Sequence, residues 1–506
     1  MTPPRLDAAW LAAERQRRRA DPVAARGGAA LPGYRPQAHG VGIVHLGAGA
    51  FHKAHQAVYT DDVLARDGGD WRIRGISLRG EAAAQALNPQ DGLYTVLVRG
   101  EREPSVRVVG SIAEVIAAVR DPQAARQALL DPAVKVVTLT VTEKAYGIDR
   151  ASGRLMREHP AVARDLRAPD EPVGVLGMLV WALGRRRALG AAPFTVLCCD
   201  NLPDNGHLLR AGVLDMAAAV APELVPWIAE QVAFPCSMVD RITPASTDAT
   251  LDDVARLAGC EDRAAVETEP FSMWVIEDRF PEGRPAWEHA GALMVDDVAP
   301  FERMKLRMLN GAHSLLAYAG HVAGWTYVRE AIADPDLSRV LRRLMDGAAA
   351  SLEREPAGLA LRDYADALCR RFANPAMAHE TYQIAMDGTE KIPQRLLAPA
   401  DRTLLLQGDV RPFAFAIAAW MRYCLGVTDA GASYALRDPR ESEILAVVQA
   451  GGRDAAALSQ GLMGLEGLFP VGLRESAVWR GLVAAYLGRM LDRGMRAACR
   501  ELAGPA

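Results

Sequence analysis

The sequence predicts an α/β protein in which a Rossmann-type, doubly wound sheet domain is followed by a mainly α-helical C-terminal domain. Three observations lead to this fold class. Short apolar runs alternate with longer helical patterns over the first 300 or so residues, as in parallel sheets. A Gly-x-Gly turn comes directly after the first apolar run. After about Pro300 only helical patterns remain, and 506 residues are enough for two hydrophobic cores.

The predicted elements of the first domain follow in order. Residues 1–40 are rich in Ala, Arg, Gly and Pro, and we expect a peripheral lead-in whose helix ends near Gly27 and Gly28. Residues 41–295 are expected to form the dinucleotide-binding domain. Its predicted strands are 41–46, 73–78, 134–141 and 194–199. Its predicted helices begin after Gly49 and cover 112–130 and 173–189.

Residues 296–506 are predicted to form the helical domain that carries substrate and catalysis. The boundary is placed where Gly283, Pro285 and Pro300 interrupt the pattern. Helical periodicity then predicts helices over 304–319, 337–352, 359–372, 413–424 and 478–491.

Composition excludes several kinds of partner. The formal charge of −4 is small for this length, so no global field favours nucleic acid, and the basic run from Arg15 to Arg19 fits a solvated helix face better than a binding patch. The chain shows neither a signal-peptide pattern nor some 18 uncharged apolar residues in a row. We therefore expect a cytoplasmic protein that acts on a small molecule, without membrane or nucleic acid, and the oligomeric state stays open.

The cysteines indicate neither a disulfide framework nor a metal site. Seven cysteines in so long a chain are few and scattered. Cys198 and Cys199 are adjacent in a predicted strand, where their side chains point to opposite faces. No HExxH or paired CxxC motif is present, so we expect no metal.

The turn at Gly47 and Gly49 favours a dinucleotide cofactor. Glycines allow a tight turn and let backbone amides approach a pyrophosphate. The third glycine of the usual fingerprint is replaced by His52, so an ordinary strand-turn-helix connection remains an alternative. His52, Lys53 and His55 are either phosphate contacts or structural residues.

The end of the second strand bears on the choice of cofactor. Glu81 is a candidate for the adenosine ribose hydroxyls, whereas Arg79 would accept a 2′-phosphate. We predict NAD, and NADP is not excluded.

Lys305, Asn310 and His313 form the candidate catalytic group. On an α-helix with about 100° per residue, His313 and Asn310 fall at about 80° and 140° from Lys305, on one side. The alternative is an exposed helix face, but the surrounding leucines and methionines leave little of this helix for solvent. A lysine with a lowered pKa can exchange a proton with a sugar oxygen, and carboxamides can hold the alkoxide. Asn201, after the strand 194–199, is a second carboxamide placed for this role.

In these residues the chain resembles the mannitol dehydrogenase family, the polyol-specific long-chain dehydrogenases. The resemblance implies that Lys305 is the acid/base, that Asn201 and Asn310 bind the oxyanion, and that Glu302 relays the proton to solvent. It implies that His313 and Lys391 place the substrate, that no metal takes part, and that cofactor contacts include Gly47, Gly49, Ala50, Phe51, His52 and Asp240. The matching segments are 47–56, 142–146, 199–201, 238–244, 274–278, 305–313, Asp387–Gly388 and Lys391.

Two branches of that family compete. Gln383 and the Glu143-Lys-Ala-Tyr146 segment resemble the fructuronate reductases, whereas mannitol 2-dehydrogenases commonly have an arginine and Glu-Gly-Gly-Tyr at these places. The expected reaction is therefore reduction of D-fructuronate to D-mannonate with NADH, and the alternative is a mannitol 2-dehydrogenase or related polyol dehydrogenase. Lys53 and Ala145 depart from the arginine and glycine that are usual in the family.

A uronate carries a carboxylate that needs a cationic partner when it is buried. The candidate cations on the motif segments are Lys144, Arg307 and Arg395, and surface solvation is the alternative for each. A third hypothesis is a non-catalytic NAD-binding sensor. Such a protein would have lost the lysine and asparagines, which are all present here.

Overall fold

The computed structural model describes residues 3–21, 28–100, 102–149 and 152–504. The chain divides into two compact units, Met1–Val298 (unit 1) and Ala299–Ala506 (unit 2). Unit 1 contains the strands and unit 2 is helical over its described residues. The predicted fold class, a Rossmann-like sheet domain followed by a helical domain, is confirmed.

The described strands of unit 1 form three sheets. Their bounds are β1 (Val41–Leu46), β2 (Arg72–Ser77), β3 (Tyr94–Val98), β4 (Ser105–Val109), β5 (Ile112–Ala117), β6 (Val136–Leu139), β7 (Thr195–Cys198), β8 (Ser237–Asp240), β9 (Val266–Thr268), β10 (Met273–Glu277) and β11 (Leu293–Val295). The main sheet has the order β5-β2-β1-β6-β7, and every neighbouring pair in it is parallel. Two three-stranded sheets have the orders β11-β10-β8 and β4-β3-β9.

The strand order of the main sheet places the ligand crevice. The chain moves outward from β1 through β2 to β5, and then returns to the other side of β1 with β6. In the register of β1, Val44 pairs with Arg74 of β2 on one side and with Val137 of β6 on the other. Open sheets of this type bind ligands beyond the carboxyl ends of the strands where the order reverses. That position here is the carboxyl end of β1 and β6.

The helices of unit 1 cover the sheets. Their bounds are α1 (Ala8–Ala20), α2 (Ala50–Ala54), α3 (Gln56–Arg66), α4 (Ala82–Leu87), α5 (Pro122–Ala128), α6 (Pro160–Arg167), α7 (Val175–Ala188), α8 (Asn205–Val220), α9 (Val225–Gln231) and α10 (Asp248–Ala258). Apolar residues of α7 and α8 pack on one face of the main sheet, and those of α3 on the other. Because both faces are covered, β6 and β7 are buried along their whole length.

Two predictions about unit 1 were wrong. The predicted helix over 112–130 begins with strand β5, which pairs with β2, and only Pro122–Ala128 is α-helical. The β-branched residues Ile112, Val115 and Ile116 suit a strand, and pairing with β2 overrides the helical periodicity. The lead-in is also not peripheral, because Leu6 and Leu11 are buried in a core cluster with β3, β4 and α10. The helix of this lead-in, α1, ends at Ala20, earlier than the predicted end near Gly27 and Gly28, of which Gly27 lies outside the described residues.

Unit 2 is a bundle of helices around apolar cores. Their bounds are α11 (Ala299–Met304), α12 (Gly311–Ala323), α13 (Val328–Ala333), α14 (Pro335–Ala350), α15 (Leu361–Phe372), α16 (Thr381–Ala385), α17 (Gly388–Ile392), α18 (Ala398–Leu405), α19 (Arg411–Tyr423), α20 (Glu441–Gly451), α21 (Ala455–Met463), α22 (Val471–Glu475), α23 (Ala477–Arg493) and α24 (Met495–Ala503). Helix α19 is buried from Pro412 to Tyr423, so it forms the centre of the bundle.

Two segments of unit 2 are π-helical. Lys305–Asn310 joins α11 to α12 without a break, and Pro393–Leu397 joins α17 to α18 in the same way. Single π turns within α-helices occur often at functional sites. Among the described residues, no helix combines the length and the apolar character needed to cross a lipid bilayer.

Candidate active site

The turn after β1 requires glycine at its first position. Gly47 has φ +96°, and a Cβ there would lie 2.2 Å from the carbonyl oxygen of Thr140. Gly49 precedes α2, and a Cβ on it would meet nothing closer than the Gly47 carbonyl at 3.7 Å. The space beside Gly49 is therefore open. A tight turn with an open backbone is the arrangement that allows a pyrophosphate to approach.

The histidines after the turn lie inside the protein. His52 is 1% exposed, its ring stacks on that of His45 in β1 at 3.4 Å, and burial holds its pKa well below the usual range. His55 is fully buried, and its Nε2 lies 3.0 Å from the carbonyl oxygen of Met273. Lys53 donates to the carbonyl of Ala264 at 2.7 Å. These contacts favour the structural interpretation of all three residues, including His52, over phosphate binding.

The remaining cofactor candidates follow the carboxyl ends of β1 and β2 in the main sheet, or end β8 in a second sheet. Ala50 and Phe51 are half-buried at the start of α2. A cavity of about 750 Å³ lies beyond β2 and β5, and Arg79 is one of its lining residues. Glu81 does not line it, and its carboxylate pairs with Arg120 at 2.6 Å. Asp240 is buried at the end of β8.

Asp200 organises the loops after β6 and β7. Its carboxylate accepts from the backbone N–H groups of Val141 and Thr142, at 3.0 Å each, and from the Tyr146 hydroxyl at 2.6 Å. Burial raises the pKa of Asp200, while these hydrogen bonds oppose that rise. The next residue, Asn201, is exposed. Asn201, the second predicted carboxamide, is therefore an exposed residue next to Asp200, which is hydrogen-bonded to the segment after β6.

The candidate catalytic residues of unit 2 lie in the first π turn. Lys305 is 8% exposed and Asn310 is 7% exposed. The N–H of Gly311 bonds to the carbonyl of Leu306, five residues back. In such a turn residues five apart stack one turn above the other, as residues four apart do in an α-helix. Lys305 and Asn310 are therefore closer in angle than the about 140° that the α-helical wheel predicts.

Glu302 and Arg307 flank this turn differently. Glu302 is half-buried, one helical turn before Lys305. Arg307 donates to the carbonyl of Ser351 at 2.6 Å and pairs with Glu353 at 3.1 Å. Arg307 is a predicted substrate-binding residue, but in the structure it ties the π turn to the end of α14. Lys144, the candidate from unit 1, is exposed on a short 3₁₀ turn.

A cationic cluster lies around α12 and the second π turn. Its cations are Arg371 of α15, Lys391 of α17 and Arg395 of the second π turn, and two histidines lie among them, His313 of α12 and His379 before α16. Burial, with Coulombic repulsion from His379, Arg371 and Arg395, holds the pKa of His313 well below its usual range. Burial and repulsion by Arg395 also lower the pKa of Lys391.

Individual contacts within the cluster fix its geometry. The His313 ring lies 5.9 Å from that of His379. Arg395 is half-buried and donates to the Ser314 hydroxyl at 3.4 Å, and Ser314 donates in turn to the carbonyl of Asn310 at 3.1 Å. Lys391 donates to the carbonyl of Met386 at 2.6 Å. The structure therefore links Arg395 to the π turn that carries Lys305.

Sequence reasoning missed several residues around these sites. Asp200 and Tyr146 lie in segments that match the family, but the sequence predicts no role for them. Arg371 and His379 carry no motif, so their sequence neighbours gave no signal. A lone histidine or arginine next to a helix end is recognised as part of a site only when the fold brings it beside others.

Comparison with known proteins agrees with this architecture. A D-mannonate oxidoreductase of Escherichia coli is 41% identical over 90% of this chain and 94% of its own length. An uncharacterised oxidoreductase of Escherichia coli, YeiQ, is 48% identical over 80% of this chain and 83% of its own length. The structure of Pseudomonas fluorescens mannitol 2-dehydrogenase in ternary complex with NAD and D-mannitol matches with a TM-score of 0.80 and 37% identity, covering 94% of this chain and 96% of that one.

Family models match both parts of the chain. The model of the mannitol dehydrogenase Rossmann domain matches residues 41–289. The model of the mannitol dehydrogenase C-terminal domain matches residues 297–486. The two matches cover most of the sequence in the order that the fold shows. The chain belongs to the mannitol dehydrogenase family.

Proposed function

We propose that this protein is an NAD-dependent oxidoreductase that reduces D-fructuronate to D-mannonate. The observation that carries the choice of substrate is the cationic cluster of unit 2. Arg395 has no carboxylate partner among the residues that the structure describes, and its pKa is lowered by burial. A half-buried guanidinium without a counterion is stabilised by an anionic ligand. The carboxylate of a uronate is such a ligand, whereas a neutral polyol has no group of opposite charge.

The turn after β1 fits a dinucleotide. The left-handed φ of Gly47 and the open space beside Gly49 leave room for a pyrophosphate against the backbone of Gly49, Ala50 and Phe51. The relative with D-mannitol is described as a complex with NAD. When bound, NAD supplies the carbon that gives or takes the hydride. The cavity beside Arg79 would bind the adenosine half of the cofactor. Glu81 would bind the ribose once its ion pair with Arg120 is broken.

Lys305 is the proposed acid/base. In the direction of reduction its ammonium gives a proton to the ketone oxygen, and in oxidation the amine takes the hydroxyl proton. Asn310, beside it in the π turn, donates a hydrogen bond to the same oxygen, and Asn201 is proposed as the second donor. Glu302, one turn before Lys305, would pass the proton on to solvent. No metal is assigned to this chemistry.

His313, Lys391 and Arg395 are proposed to hold the rest of the sugar. His313 is kept neutral by burial and by its cationic neighbours, so one ring nitrogen donates and the other accepts at neutral pH. Such a group suits a sugar hydroxyl, which also donates and accepts. Arg395 offers a planar pair of N–H groups to the carboxylate at the far end.

Steady-state kinetics with the purified protein test this function. D-Fructuronate and D-fructose are compared as substrates, each with NADH and with NADPH. We expect kcat/KM to be highest for D-fructuronate with NADH. Faster turnover of D-fructose would instead indicate a mannitol 2-dehydrogenase, the alternative that the structural match to the mannitol complex favours. Activity mainly with NADPH would contradict the cofactor assignment.

A further inference from the structure

Asp204, His207 and Cys236 bring three metal-ligating atoms to one point of unit 1. The Sγ of Cys236 lies 3.6 Å from the Nδ1 of His207 and 3.6 Å from the Oδ1 of Asp204. His207 Nδ1 and Asp204 Oδ1 are 2.5 Å apart. The group does not include Cys198 or Cys199, the adjacent pair from which no metal site was predicted. It joins the start of α8 to the residue before β8.

We infer that this group is a zinc site, with a water as the fourth ligand. Thiolate, imidazole and carboxylate are all ligands of Zn²⁺, and the combination of sulfur with imidazole favours zinc over magnesium or calcium. The site is distinct from the proposed catalytic residues, because Asp204, His207 and Cys236 are not among them.

The distances agree with a tetrahedral ion. Zinc bonds of about 2.3 Å to sulfur and about 2.0–2.1 Å to nitrogen or oxygen place the sulfur about 3.6 Å from each of the other two ligand atoms at the tetrahedral angle. Both observed sulfur distances have this value. The nitrogen–oxygen pair is shorter than the about 3.4 Å that the same geometry gives. Zinc would replace this hydrogen bond, so the two groups have to separate by a little under 1 Å.

The three proposed ligands differ in how exposed they are and in how firmly their surroundings hold them. The side chains of Asp204 and His207 are 66% and 53% exposed, so they have room to move and an ion can reach them. Cys236 is 3% exposed, and its N–H donates to the Glu277 carboxylate at 3.0 Å. Arg279 pairs with that carboxylate at 2.5 Å. One ligand is thus fixed by its surroundings, while two close over the ion.

The consequence is a link between two loops of the sheet. Asp204 and His207 follow the loop that carries Asn201, and Cys236 immediately precedes β8. In the structure Asn205 already bridges these segments, bonding to the carbonyl of Asp200 and to both backbone groups of Ser237. A zinc ion beside Asn205 would strengthen this connection.

Zinc binding by the full-length protein tests the inference. The metal-free protein is dialysed against Zn²⁺, and the bound metal is measured by mass spectrometry. We expect one zinc per chain, and more than about tenfold weaker binding in H207A and in C236S. H289A is the matched control, because His289 forms an exposed pair with Asp67 at 2.8 Å in the same unit but has no cysteine beside it. This variant should bind zinc as the parent does.

Two further measurements guard against misfolding. Circular dichroism establishes that each variant is folded, and the exposed position of His207 makes H207A the more tolerant of the two. Substitution with Co²⁺ should give the charge-transfer absorption of a thiolate ligand in the parent and lose it in C236S. Failure of the parent protein to take up zinc, or uptake that H207A and C236S leave unchanged, overturns the inference.

Discussion

Replacement of Arg395 by methionine should change which substrate the protein prefers. Methionine keeps much of the length of the side chain and removes its charge. The variant loses the proposed partner of the uronate carboxylate, but it retains Lys305, Asn310 and His313. D-Fructuronate should therefore lose catalytic efficiency, whereas D-fructose, which has no carboxylate, should be affected little.

The size of the effect follows from the surroundings of Arg395. Removing one partner of a desolvated, hydrogen-bonded charge pair costs about 2–5 kcal/mol. Arg395 is half-buried, and among the described residues its guanidinium makes one hydrogen bond, the long one to Ser314, so the lower end of this range applies. About 2 kcal/mol corresponds to a roughly 30-fold loss in kcat/KM for D-fructuronate. For D-fructose we expect less than about a threefold change.

Arg307 provides the control. It is also an arginine on a π turn of unit 2, but Glu353 and the carbonyl of Ser351 occupy its guanidinium. R307M removes the same charge and should lower stability without changing the ratio of kcat/KM for the two substrates. The assay is initial-rate kinetics of NADH oxidation by both variants. A similar loss for both substrates in R395M, or an altered ratio in R307M, would refute the assignment of the carboxylate to Arg395.

The remaining predictions concern catalysis, the turn and pH. K305A should lose most of its turnover, about a hundredfold or more, while NADH binding measured by fluorescence stays nearly unchanged, because the ammonium serves the proton transfer. G47A should unfold at lower urea concentration, with a loss of more than about 2 kcal/mol, because it combines a left-handed φ with a 2.2 Å clash. Burial lowers the pKa of Lys53 from 10.5 to about 8. As the pH rises, Lys53 loses its proton in the folded state at a lower pH than in the unfolded chain. The free energy of unfolding of the parent should therefore increase by about 2–3 kcal/mol, relative to that of K53M, between pH 8 and 10.5.

Each of these predictions has its own contrary outcome. Undiminished turnover in K305A would remove the lysine from the reaction. For the turn, G190A is the comparison, because Gly190 has φ +69° but open space around it. G190A should lower the free energy of unfolding by only about 1–2 kcal/mol, the cost of a left-handed backbone conformation. Equal losses in G190A and G47A would show that the structure around residue 47 relaxes and removes the clash. For Lys53, a stability difference that stays constant from pH 7.5 to 10.5 would mean that the ammonium is not desolvated.

The main sheet could be predicted because its strands are buried on both faces. The runs at 41–46 and 194–199 are mostly apolar, and the structure has β1 and β7 there. Strand β5 escaped prediction because Glu114 interrupts its apolar residues and a helix follows closely. The small strands β8 to β11 are three to five residues long, too short for a periodic signal. Their pairing depends on contacts between distant segments.

The site could be predicted only in part, for a different physical reason. Lys305 and Asn310 can be recognised because they are polar residues among leucines and methionines, and Asn201 because it follows the carboxyl end of a predicted strand. The local sequence does not predict that Lys305–Asn310 is π-helical, since the same residues would also form an α-helix. The distinction between Arg307 and Arg395 likewise depends on Glu353, which lies far from either π turn in the sequence. Charge pairing across the fold decides which cation is satisfied.

The two π turns explain how a charged site can exist within an apolar helix bundle. A π turn inserts an extra residue into a helix, which shifts the following side chains in angle relative to those before it. In unit 2 this shift allows Lys305 and Asn310 to share a face while α12 buries its apolar residues. The second π turn packs directly against the start of α12, as shown by Gly311, where a Cβ would lie 2.9 Å from the carbonyl oxygen of Arg395. Glycine at position 311 therefore permits this close approach of the two backbones. Through it, Arg395 reaches Ser314, which is hydrogen-bonded to Asn310 in the π turn of the proposed acid/base.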